Sequence, residues 1–264
     1  MNAVTPRPAF AETTPELRAK ASALHGAGRV QEALLVLQEI VRREPGDFGG
    51  RYNLAFVLQH LGRLDEAIES YRAAVATKPD FAEARANLGS CLILKGRIEE
   101  AEREFAGAVE IAPALHPAQL NLGIARRRLG RHEESLGPLR AALALSPGDV
   151  QAWDHLYNAL MMLKRPQEAV DAFLAWEPRA PACAELALAG LTLSRLAGDR
   201  EREAKYLDLC VRWPFPPAHS GFARLPLSVA QYFDAAPEAL LALYERYAGI
   251  MASGVFESYS GQMR

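Results

Sequence analysis

Several features that would point to a particular chemistry are missing from this 264-residue chain. It has three cysteines, Cys91, Cys183 and Cys210. They are odd in number, far apart, and show neither a CxxC pair nor zinc-ligand spacing, so a disulfide framework or a zinc module is not expected. Scarce thiols of this kind suit a reducing compartment, and Cys91 reads as a small buried apolar residue. No stretch approaches 18 consecutive apolar residues, so no membrane-spanning helix is expected. Neither sign of charge dominates: 30 Lys and Arg face 32 Asp and Glu, a formal net charge of −2. General attraction to nucleic acid or to an anionic membrane is therefore not expected. The sequence has no phosphate-cradling glycine loop and no nucleophile elbow. The six histidines are scattered, without a carboxylate or cysteine at ligand spacing. These absences predict no catalytic residue, no metal and no cofactor. Residues 1–13 hold three alanines and two prolines but no apolar core of signal-peptide length, which predicts a cytoplasmic protein.

What is present is an internal repeat with a period of about 34 residues, long enough for one supersecondary unit. Asn53-Leu54-Ala55, Gly62, Asp65-Glu66-Ala67, Tyr71, Ala74 and Pro79 recur as Asn87-Leu88-Gly89, Gly96, Glu99-Glu100-Ala101, Phe105, Ala108 and Pro113. They recur again as Asn121-Leu122-Gly123, Gly130, Glu133-Glu134-Ser135, Leu139, Ala142 and Pro147. Each block reads as two helices. Leu54, Val57, Leu58 and Leu61 have helical spacing. Gly62 then stops the first helix, because glycine accepts the left-handed conformation. Carboxylates at 65–66 favour the start of the second helix, and Pro79 cannot continue it. Ala55, Ala67 and Ala74 let helices approach closely, and Tyr71 fills the space that is left. One pair cannot bury this face alone, whereas stacked pairs can.

In chain order, 1–13 reads as a disordered tail, interrupted by Pro6 and Pro8. Repeats follow at 14–47, 48–81, 82–115, 116–149 and 150–183, with a degenerate sixth at 184–217. The first has Ala19 in place of asparagine; the fifth has His155 in its place and Lys164 in place of glycine. Residues 218–264 leave the period. Within them, 237–251 has helical spacing behind a helix-start signal, predicting a C-terminal helix that caps the array.

The repeated residues resemble the tetratricopeptide repeat family. The resemblance implies an all-α fold, a right-handed superhelical solenoid of antiparallel helix pairs. It also implies that the first helix of each pair lines a concave groove. Tyr52, Asn53, Phe56, Gln59, Asn87, Ser90, Asn121, Ile124, Arg127, Arg128, His155, Asn158 and Met161 would then face a bound protein or extended peptide. Ile93, Leu94 and Met162 would lie beside them.

The asparagines have two candidate uses. A primary amide both donates and accepts, so a row of them can hold an extended main chain without reading its side chains. Such a row resembles the asparagine ladder of O-linked N-acetylglucosamine transferases and their SPINDLY-like bacterial relatives. In these repeats an asparagine at this place also caps or bridges neighbouring helices. The run Arg126-Arg127-Arg128 with Arg131 reads either as a solvated face or as an attraction for acidic segments. Repeats that clamp chaperone tails use lysine, asparagine and arginine at set groove positions, and repeat one has Arg18 and Ser22 at two of them, which disfavours that role.

His219-Ser220, Gln231-Tyr232-Phe233-Asp234 and Pro237–Tyr244 are similar to the connector that follows the repeats in SPINDLY-like glycosyltransferases. That similarity implies a module selecting acceptor proteins for a catalytic domain outside this chain. The alternatives are a free-standing adaptor and self-association through the solenoid ends.

Overall fold

The computed structural model describes residues 12–179, 190–191, 193–194, 197–203 and 205–206. The chain forms two compact units, Met1–Leu163 and Lys164–Arg264. In the first, α1 (Thr14–Gly26), α2 (Val30–Arg43), α3 (Phe48–His60), α4 (Leu64–Thr77), α5 (Ala82–Leu94), α6 (Ile98–Ile111), α7 (His116–Arg128), α8 (His132–Leu145) and α9 (Val150–Met162) follow one another. Each helix packs on the next, and α3, α5, α7 and α9 also touch in sequence. The result is the expected all-α solenoid of helix pairs. In the second unit, α10 (Pro166–Trp176) runs into a 3-10 turn, Glu177–Arg179. The helix expected over 237–251, residues 1–11 of the tail, Cys183 and Cys210 lie outside the described residues.

The turn inside each pair is built as the glycine spacing predicts. Gly28, Gly62, Gly96, Gly130 and Gly198 all have φ between 69° and 75°. Around Gly62, the Gly62 N–H donates to the Gln59 carbonyl at 3.0 Å and the Arg63 N–H to the Leu58 carbonyl at 2.9 Å. These are the two bonds of a Schellman motif, and they satisfy carbonyls that the ending helix leaves open. Lys164 takes the same left-handed backbone, φ 56°, at the place where the period has lost its glycine. The turn geometry is thus kept against the residue's own preference.

A small residue facing a large one sets the distance between paired helices. A Cβ added at Gly89 would lie 2.7 Å from Phe105 Cε1, and one at Gly123 would lie 2.5 Å from Leu139 Cγ. The glycine of each Asn-Leu-Gly run is therefore the seat of the large side chain on the second helix. Ala33, Ala67, Ala101 and Ser135 are fully buried in the matching positions of α2, α4, α6 and α8. Ser135 satisfies its hydroxyl by donating to the His132 carbonyl at 2.6 Å. Cys91 is fully buried, and burial pushes its thiol up to about 11, so it packs as a small apolar group. In the second unit a Cβ at Gly190 would lie 2.6 Å from the Tyr206 ring. This pair is one residue out of step with Gly89 and Gly123 when counted from the glycine turn.

Pro138 sits inside α8. Its missing N–H would otherwise bond the Glu134 carbonyl. Arg126 takes over: its Nη1 donates to that carbonyl at 3.3 Å, and its Nε meets Glu102 Oε1 at 3.0 Å. Arg126 therefore ties α6, α7 and α8 together.

Two stability measurements check these points. In urea unfolding, Gly123→Ala should lose about 1–3 kcal/mol through overpacking. Gly26→Ala, where an added Cβ meets nothing within 4 Å, should gain about 0.5 kcal/mol. Equal effects would remove the seat argument. Arg126→Met should cost about 1–2 kcal/mol, and the cost should shrink by about 1 kcal/mol when Pro138→Ala restores the N–H. Additive losses would show that Arg126 does not serve that carbonyl.

Candidate peptide-binding groove

The first helices α1, α3, α5, α7 and α9 start one full period apart, so equivalent side chains form columns along their shared face. At the N-terminal end of this face is a recess of about 230 Å³, lined by Arg18, Ser22, His25, Tyr52, Asn53 and Phe56 among others. The Phe56 ring lies 4.3 Å from His60 and 5.5 Å from His25. His25 Nε2 and His60 Nδ1 are 3.4 Å apart. Arg18 is not free to meet a ligand there: its Nη2 contacts Glu44 at 2.8 Å and Asp47 at 2.9 Å. Asp47 in turn caps α3 by accepting from the Gly49 and Gly50 N–H groups.

A polar network follows toward α5. The Tyr71 hydroxyl donates to Gln59 Oε1 at 3.0 Å. The Asn87 amide donates to the Tyr52 hydroxyl at 3.1 Å and lies against the Tyr71 hydroxyl. Burial pushes both phenols above their ordinary range, so they stay protonated at neutral pH. The Tyr52 ring rests 4.8 Å from Phe81 and 5.8 Å from Tyr71.

The asparagine column therefore divides. Asn87 bridges α5 to α3, one of the two uses left open by the sequence. Asn53 is exposed and Asn121 half-buried, and neither hydrogen-bonds a described residue. Ser90 and Asn158 each bond back into their own helix, to the Ala86 carbonyl at 3.0 Å and the Asp154 carbonyl at 2.7 Å. The Asn158 carbonyl oxygen remains open. Ile124 is only 8% exposed and offers little surface. Met161 is half-buried, whereas Leu94 and Met162 are each 65% exposed.

The basic run divides as well. Arg126 is held by Glu102 and the Glu134 carbonyl, as described above. The Nε of Arg127 is buried without a hydrogen-bond partner, as is Nδ1 of His155. His155 Nδ1 is 3.7 Å from Asp154 Oδ2, too far for a hydrogen bond. Burial, and then the Arg127 and Arg128 charges, hold His155 below the ordinary histidine value, so its ring is neutral at pH 7.

Sequence reasoning left out His25. Its signal was its place one period before Gln59. Among the described residues, no helix is long and apolar enough to cross a membrane, and no three His, Cys, Asp or Glu side chains converge as metal ligands.

Comparison with known proteins agrees with this geometry. Two family models, each described as a tetratricopeptide repeat, match residues 24–69 and 60–122 and residues 120–182. No curated protein matches the chain. Among solved structures, pilF from Pseudomonas aeruginosa is similar with a TM-score of 0.60 and 18% identity, covering 89% of this chain and 97% of its own. PilW, described as a type IV pilus biogenesis factor, has a TM-score of 0.59 and 22% identity, covering 78% of this chain and 96% of its own. YrrB, described as a TPR protein with an unusual peptide-binding site, has a TM-score of 0.56 and 20% identity, covering 66% and 90%. At these identities the structural likeness speaks for the fold alone, but the family models together span more than half of the sequence. The chain is a member of the tetratricopeptide repeat family.

Proposed function

We propose that the shared face of α3, α5, α7 and α9 binds an extended segment of another protein, so that the chain works as an adaptor in a larger assembly. What carries this reading is the pair of amides without a partner among the described residues, Asn53 and Asn121, at equivalent places two repeats apart. Packed helix layers repeat at roughly 8–10 Å, and an extended chain advances about 3.3 Å per residue. The two amides are therefore about six peptide residues apart. Each can donate to a main-chain carbonyl and accept from a main-chain N–H. Tyr52, Phe56 and Met161 supply apolar contact, and Gln59, Ser90, Asn158 and His155 add polar groups along the same face.

YrrB, described as having a peptide-binding site, and the pilus factor PilW make partner binding a natural use of this architecture. The narrower idea, selection of acceptors for a SPINDLY-like glycosyltransferase, rests on residues 219–244. Those residues lie outside the described ones, and no relative reported above is a glycosyltransferase. The adaptor reading is therefore preferred.

The test is binding of peptides selected from a displayed random library on the purified chain. Asn53→Ala with Asn121→Ala should weaken the best peptide roughly ten- to hundred-fold, with helicity unchanged by circular dichroism. Asn87 is left intact because it holds α5 to α3. Unchanged affinity in the folded double variant would rule out the amide grip.

A further inference from the structure

Several arginines of the array are already paired. Arg18 meets Glu44 and Asp47, Arg72 meets Glu100, Arg85 meets Glu104 and Arg126 meets Glu102. The side chains of Arg127 and Arg128, like those of Arg103 and Arg131, make no ion pair or hydrogen bond with any described residue, and of the four only Arg127 has a buried nitrogen without a partner, its Nε. A buried donor without an acceptor is costly. The groups around it do not remove that cost. His155 is neutral, with its own Nδ1 unpaired, and Asp154 stays 3.7 Å from that ring. A carboxylate brought by a ligand would pair with the guanidinium groups and offset one of their two charges.

The surroundings say what flanks that carboxylate. Leu94, Arg128 and Met162 are the last residues of α5, α7 and α9, each one period from the next and so in one row along the groove edge. Leu94 and Met162 are each 65% exposed, more than any other large apolar side chain among the described residues. Asn121 is seven residues before Arg128 and so shares its helix face. At about three residues of extended chain per helix layer, the row offers an apolar contact, a cationic contact and another apolar contact in turn. The row runs past Arg128 to α9, which calls for a carboxylate inside a chain rather than at its end.

We propose that the segment held in this groove is acidic, with an internal Asp or Glu seated on Arg127 and Arg128 and an aliphatic residue about three positions to either side, on Leu94 and Met162. This rests on the peptide-binding reading above and names the chemistry of the partner.

The experiment selects displayed random peptides, each about a dozen residues long, on the purified chain and, separately, on Arg128→Glu. Arg128 is exposed, so the variant should fold, and circular dichroism verifies this. Wild type should enrich Asp or Glu with Leu, Ile or Met about three residues away on both sides. The variant should enrich Lys or Arg at the central place. A synthetic wild-type consensus peptide should bind Arg128→Glu at least roughly tenfold more weakly, and Arg127→Gln should weaken it in the same direction. Peptides that bind without an acidic preference, or a consensus indifferent to both variants, would overturn the acidic partner and leave the groove intact. A chain that retains no peptide at all would overturn both readings.

Discussion

The contact between a small residue on the first helix of a repeat and a large one on the second governs the rest of this structure. Gly89 under Phe105 and Gly123 under Leu139 leave no room for even one added carbon. That contact sets how closely two helices lie, and the left-handed turns at Gly62, Gly96 and Gly130 set how one leads to the other. Because the turn recurs through the first five repeats and a small residue holds the seat in the first four, Ala21, Ala55, Gly89 and Gly123, the first helices present the same face at the same interval. The columns of side chains on that face follow from the packing beneath them. A groove built in this way is rigid by construction, which limits the entropy lost when a chain is bound.

Much of the fold was legible because each device has its own residue signature. Glycine at the turn, an alanine or glycine seat and a ring or leucine to fill it are hard to replace without cost. The exceptions are instructive. Lys164 adopts the left-handed backbone without being glycine, so the turn survives the loss of its usual residue. Gly190 and Tyr206 keep the seat contact one residue out of step, a shift that a fixed period cannot reveal. Pro138 reads as a helix breaker, yet α8 continues through it, because the carbonyl it strands is met by an arginine from α7.

The groove was legible as positions and less so as chemistry. Spacing alone brings Tyr52, Phe56, Asn87, Asn121 and Arg128 onto the first helices. It does not say which polar groups are already committed inside the protein. Asn53, Asn87 and Asn121 look equivalent in sequence, but Tyr52, present only in the second repeat, takes the Asn87 amide. The three consecutive arginines also look alike. A helix turns about 100° per residue, so Arg126 goes to Glu102 and Glu134 while Arg127 and Arg128 are left without a counterion among the described residues. Such divisions depend on neighbours far along the chain, up to a whole repeat away, beyond the reach of a local pattern.

Nuclear magnetic resonance of the side-chain amides, with a bound extended peptide, tests the central claim most directly. In the free protein the Asn87 amide protons should already be held, and those of Asn53 and Asn121 should exchange freely with solvent. On saturation with peptide, the Asn53 and Asn121 amides should shift and become protected while Asn87 changes little. Peptide-induced shifts confined to the second helices, with Asn53 and Asn121 unmoved, would contradict a main chain held by amides on the first.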